Sequence, residues 1–207
     1  IGGGARSFYN TSIVDVLNAG APMGQTDTDR RAAVGASANG LPTMIFDGTD
    51  VHLWPLSPAH SATTKVGIWL WFKPASVTGF QLLYDTTSGD AGVTATRLRL
   101  YTNGTSLVIE AYITNGDGRR FTAASALTIN TWHAIYKRYD SSLGGDANVA
   151  MYVGGVSKSL TAVNLGAGGT LGALQASGGS AVFGADNDSD TPSNPIANGG
   201  AIGPNIF

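Results

Sequence analysis

The sequence predicts an all-β fold, a sandwich or barrel built from short antiparallel strands. Three observations carry that prediction: a composition suited to turns, a series of short β-branched and aromatic runs, and turn residues between them. Gly 29, Thr 21, Ser 17 and Asn 12 together supply 79 of the 207 residues. Ser, Thr and Asn compete for backbone hydrogen bonds, and Gly costs entropy inside a helix. Charged residues make up 13%, half the usual share of about 25%. Glu110 is the only glutamate, so long solvated helices and coiled coils are excluded.

The strands follow in order from Leu41. Thr43–Phe46, Val51–Trp54, Val66–Phe72, Phe80–Tyr84, Thr96–Tyr101, Leu107–Thr114, Trp132–Tyr139, Val149–Val153 and Ala181–Phe183 are the candidate runs. Asp47-Gly48, Ser88-Gly89-Asp90, Asn103-Gly104, Asn115-Gly116-Asp117-Gly118 and Gly144-Gly145-Asp146 separate them, all of them turn chemistry. In Arg97–Tyr101 the alternation sends Leu98 and Leu100 to one face and Arg97, Arg99 and Tyr101 to the other. Asn103-Gly104 then predicts a hairpin into Leu107–Ile109. Residues 1–40 read as an N-terminal arm contributing at most one strand to the sandwich. Residues 41–207 read as the sandwich itself. From Asn164 onward there is no Lys or Arg, and Ala201–Phe207 begins like a further strand. The expectation is a domain incomplete at its closing strand.

Charge and residue content exclude several functions. A net charge of −2 gives no electrostatic footprint for nucleic acid. No apolar run approaches the roughly 20 residues of a membrane-spanning helix, so no membrane insertion is expected. Without cysteine there is no disulfide scaffold, thiolate zinc site or cysteine nucleophile. His52, His60 and His133 stand in no recognisable triad spacing, and His133, after Trp132, reads as a structural strand residue. Glu110 shares a strand face with Val108 and Tyr112, which predicts an exposed position. Glycoside hydrolysis needs a pair of carboxylates, and Glu110 has no acidic neighbour in its strand. The protein is therefore expected not to be an enzyme.

Two kinds of binding residue remain. Trp69 and Trp71 share one strand face, with Ile68, Leu70 and Phe72 on the other. Core packing is the favoured reading for these tryptophans and for Trp132. Trp54, followed by Pro55 at a strand end, is the candidate sugar-stacking platform. Asp186, Asp188 and Asp190 have the Asp-x-Asp-x-Asp spacing that opens an EF-hand loop. Thr191 replaces the turn Gly and Ala197 the bidentate Glu, so this is not an EF-hand. These residues are candidate Ca²⁺ ligands as loop oxygens, with a solvated acidic loop as the competing reading.

A resemblance now sharpens the fold. Asn39–Asp50 (NGLPTMIFDGTD) resembles the opening "nGlP-x-l-x-FdG-x-D" of laminin-G-like, concanavalin A-like jelly-roll modules. Ile68–Pro74 resembles their "sxWvkp" strand, Asn130–Ile135 their "ntWhhva" strand, and Tyr139-Asp140 the "yD" that follows. Met151–Val156 is similar to "lYvdGv", with Gly154 where Asp is usual. The resemblance implies a two-sheet antiparallel β-sandwich of jelly-roll type. It also implies Ca²⁺ near the sandwich rim, with Asp47, Asp50, Asp85 and Asp90 as a second candidate set. The Glu-x-Asp-x-x-Glu strand of jelly-roll glucanases is missing, as is the Gln-x-His of lyases on this fold. The implied function is a non-catalytic recognition module, extracellular or on a virion surface, that binds glycan or another cell-surface ligand through rim loops. The alternative is a structural virion component, with the sandwich as an exposed knob or a contact to other virion subunits.

Overall fold

The computed structural model describes residues 23–24, 33–38, 41–46, 48, 54–55, 64–85, 97–112, 117–173, 182–184 and 201–202. Among them lie fifteen strands: β1 (Met23–Gly24), β2 (Ala33–Ala38), β3 (Leu41–Ile45), β4 (Trp54–Pro55), β5 (Lys65–Lys73), β6 (Phe80–Asp85), β7 (Arg97–Asn103), β8 (Ser106–Tyr112), β9 (Gly118–Ala123), β10 (His133–Asp140), β11 (Val149–Val153), β12 (Val156–Ser157), β13 (Thr161–Leu165), β14 (Val182–Phe183) and β15 (Ala201–Ile202). One turn of 3-10 helix, Gly145–Asn148, is the only helix among the described residues. No helix among them is long and apolar enough to cross a membrane.

The strands form two large antiparallel sheets. The larger has the order β12-β11-β10-β5-β15-β3-β2, the smaller β13-β9-β8-β7-β6-β14, and β1 and β4 make a separate ribbon. The inner faces meet in one core. Ile68, Leu70, Phe72, Ile135, Tyr139 and Met151 come from the larger sheet, Leu98, Leu100, Leu107, Ile109 and Phe121 from the smaller. Each buried large apolar side chain contributes roughly 1.5–3 kcal/mol. The fold is thus the two-sheet jelly-roll sandwich that the strand motifs imply.

Most strands stand where the alternation places them. Leu98 and Leu100 are buried in the core while Tyr101 packs with Leu82 and Val108 on the opposite face. The β7–β8 hairpin pairs Asn103 with Ser106, and Gly104 takes φ +61°, the left-handed region that favours glycine. Gly154 and Gly155 both have positive φ in the two-residue β11–β12 turn, which is the requirement of a type I′ hairpin. The Asp of the "lYvdGv" pattern is replaced here by a residue that suits this turn better.

Besides the two-residue β1 and β12, three strands escape the sequence pattern. β2 (AVGASA) contains one large apolar residue, β9 (GRRFTA) begins inside a turn-like Gly-Asp-Gly, and β13 (TAVNL) is a largely exposed edge strand. None shows the dense β-branched run that marks a buried strand. A bulge between Leu82 and Tyr84 lets Leu83 and Tyr84 both reach the core while Asp85 pairs opposite Arg99. Tyr139 Oη donates to the Gly172 carbonyl at 2.5 Å and ties the stretch after β13 to the core.

Candidate functional site: an aromatic row on the larger sheet

The outer faces of the two sheets differ sharply. On the smaller sheet Leu82, Tyr101 and Val108 are buried. Phe80 stacks on Tyr101 with ring centroids 4.0 Å apart. Glu110 is also buried there, contrary to the exposed position expected from its strand face. Its Oε1 accepts from Tyr101 Oη at 2.8 Å and from Arg120 at 2.7 Å. A buried carboxylate needs such partners, because burial alone strongly disfavours its charge. The exposed reading failed because the sequence shows the polarity of the residue but not that this face is covered.

The outer face of the larger sheet carries aromatic rings in the open. β5 presents Trp69 and Trp71 outward because Ile68, Leu70 and Phe72 fill the core. Trp69 is 37% exposed and Trp71 half-buried, which corrects the core reading for both. Trp132 is likewise half-buried rather than enclosed. Tyr136 on β10 lies directly opposite Trp69 and, on its other side, opposite Tyr152 on β11. The ring centroids are 6.0 Å apart for Trp69 and Tyr136, and 5.8 Å for Tyr136 and Tyr152. Planes tilt by 38° and 37°, so the three rings form a stepped row across three strands rather than a stack.

Gly67 helps to shape that row. A Cβ at Gly67 would lie 3.1 Å from the Tyr136 ring. The ring therefore rests over the bare glycine backbone, as aromatics do over sheet glycines. The signal was present in the sequence, since Gly67 interrupts an otherwise bulky strand two residues before Trp69. What the sequence did not supply was the pairing of β5 with β10 and β11.

Charged groups border the rings. Arg138, opposite Gly67 and Ala150, stands one row from Tyr136 and donates from Nη2 to the Ala147 carbonyl at 3.1 Å. Beyond it Lys65 and Asp140 pair at 3.0 Å. The Ser142 hydroxyl, 2.5 Å from Asp140 Oδ1, and then Lys65 hold the Asp140 carboxyl below its ordinary range. His133 Nε2 accepts from the Thr128 N–H at 2.9 Å, which closes the loop before β10.

The residues proposed from sequence are dispersed. Trp54 is in β4, with Gly24 of β1 as its backbone partner. Asp85 is buried at the end of β6, its Oδ2 3.1 Å from Arg99 Nε. That guanidinium already neutralises the carboxylate. Asp47, Asp50, Asp90, Asp186, Asp188 and Asp190 lie outside the described residues. Among the described residues no three His, Asp or Glu side chains cluster so as to hold a metal ion.

No family model matches the sequence, and no curated protein matches it either. Solved structures do share its fold. Domain 4 of AbnA, a GH43 extracellular arabinanase from Geobacillus stearothermophilus solved with arabinotriose, is similar with a TM-score of 0.57 at 15% identity, over 97% of this chain and 91% of that one. The native heptameric SAP-like pentraxin from Limulus polyphemus gives 0.56 at 14% identity, over 82% and 76%. The chain has the concanavalin A-like jelly-roll fold. Domains LG4-5 of the mouse laminin alpha1 chain align less closely, with a TM-score of 0.48 at 14% identity, over 83% of this chain and 43% of that one.

Proposed function

We propose that this protein is a non-catalytic carbohydrate-binding module that works outside the cell or on a virion surface. Its ligand platform is the row Trp69, Tyr136 and Tyr152. The observation that carries the reading is Trp69, 37% exposed and continued by two cross-strand tyrosines. Apolar sugar faces stack on such rings, and Trp and Tyr supply large contact area at low conformational cost. The fold it shares with an arabinotriose-bound arabinanase domain supports the same reading.

Catalysis fits the carboxylates poorly. Glu110 and Asp85 are buried and ion-paired to Arg120 and Arg99 respectively. Neither is placed as the free acid or nucleophile that glycoside hydrolysis requires. Calcium held by the carboxylates of Asp47, Asp50, Asp90, Asp186, Asp188 and Asp190 belongs to the same proposal, and loss of binding on chelation would support it.

A glycan array followed by calorimetric titration of the best hit tests the platform. Trp69→Ala and Tyr136→Ala are each expected to weaken binding by about ten-fold or more, the loss typical of a central aromatic anchor. Trp54→Ala in the same titration tests the strand-end platform read from the sequence. Wild-type affinity in both row variants, with the fold intact, would overturn the platform. Absence of any glycan binding would favour the structural virion reading.

A further inference from the structure

We infer that the aromatic row selects acidic oligosaccharides, and that Arg138 is the group that meets the ligand's carboxylate. The inference rests on the platform reading above and adds the substrate class. Strand alternation puts Lys65, Lys73 and Arg138 on the same outer face as the rings, against Asp140 as the acid described there. Asp140 is already paired with Lys65. Two cations, Lys73 and Arg138, are left without a carboxylate among the described residues. This positive border belongs to a chain whose net charge is −2, so it is a local feature and not a reflection of overall composition.

Arg138 is the better placed of the two. It occupies the row next to Tyr136 and lies opposite Gly67, over which the Tyr136 ring rests, so the guanidinium borders that ring directly. Its Nη2 is anchored on the Ala147 carbonyl, while Nε is enclosed without an acceptor. A half-buried guanidinium held in place but not neutralised is set up for a charge-assisted bond. A neutral sugar on the rings would leave that charge unanswered. A uronic-acid or similarly carboxylated unit would supply the anion while its ring stacks on Tyr136 and Trp69.

The test is a matched pair of probes, a uronic-acid trisaccharide and its carboxyl-reduced neutral counterpart, titrated calorimetrically into the folded protein. The acid form is expected to bind about ten-fold tighter at low salt, a preference that shrinks toward about 0.5 M salt. Arg138→Gln should bring the acid-to-neutral ratio close to one, whereas Arg138→Lys, which keeps the charge, should restore part of it. Equal binding of both probes by the wild type overturns the acidic selectivity and leaves the platform standing. A preference that survives in Arg138→Gln removes Arg138 from the role. If Trp69→Ala binds both probes as tightly as the wild type, the platform itself is wrong.

Discussion

Replacing Lys137 by methionine should stabilise this protein at neutral pH. Lys137 lies on the inner face of β10, opposite Ile68 and Met151, and is fully buried. Its Nζ has no hydrogen-bond partner and sits 5.4 Å from the centroid of the Tyr84 ring. Burial lowers its pKa from 10.5 to about 7. At 1.36 kcal/mol for each pKa unit, that displacement corresponds to a folding penalty on the order of 5 kcal/mol. The cation–π contact offsets at most about 2 kcal/mol of such a cost and is itself lost when the amine is neutral, so burial dominates. Tyr84 is pushed upward, chiefly by burial and then by the charge of Asp85, and stays neutral throughout the window.

The direction with pH follows from proton counts. Between pH 7 and 10.5 the unfolded chain keeps a proton on Lys137 that the folded chain releases, so stability rises with pH. Below about 7 both states are charged and the penalty is constant. Urea unfolding of wild type and Lys137→Met at a series of pH values isolates this residue from the other titrating groups. With an m-value near 2 kcal/mol/M, the variant's midpoint should lie about 2 M higher at pH 7. The gap should close as pH approaches 10.5. Parallel curves for the two proteins, or a variant destabilised at pH 7, would refute the reasoning.

Other consequences are equally direct. Glu110→Ala leaves the buried Tyr101 hydroxyl and the partly exposed Arg120 without their shared acceptor and should cost about 1–3 kcal/mol in chemical denaturation, as stranding a buried polar group does. At Gly184 φ is +92° and an added Cβ would meet the buried Phe46 ring. Gly184→Ala should therefore cost at least about 3 kcal/mol, combining strain with overpacking, and thermal unfolding would show it. The Asp140 carboxyl, held low first by Ser142 and then by Lys65, stabilises the fold above its ordinary value of 3.8. That contribution is lost as pH falls through the depressed folded value, and Ser142→Ala should reduce the acid-side dependence in unfolding between pH 2 and 5 (roughly the carboxylate range).

Much of this architecture was legible because period-two alternation carries it. Ile68, Leu70 and Phe72 declared an inner face, and the one-residue offset that separates them from Trp69 and Trp71 declared an outer one. Asn103-Gly104 declared its hairpin through the φ value that glycine permits. The aromatic row was not legible as a row. Trp69, Tyr136 and Tyr152 are 67 and 16 residues apart along the chain, and only the pairing of β5, β10 and β11 makes them neighbours. Large aromatics fill cores often enough that burial was the natural reading for Trp69, although its own strand already supplied three inward apolar residues. Glu110 misled for the reverse reason. Its acidity suggested solvent, but Arg120 and Tyr101 on neighbouring strands satisfy it under a covered face.

Calorimetric titration of the wild-type protein and Trp69→Ala with the best glycan hit tests the central claim most directly. Circular dichroism would first show that the variant keeps its sheet content. The platform account predicts saturable binding by the wild type and an affinity at least about ten-fold weaker in the variant. Equal affinities in the two proteins would contradict it and move the recognition site away from this face.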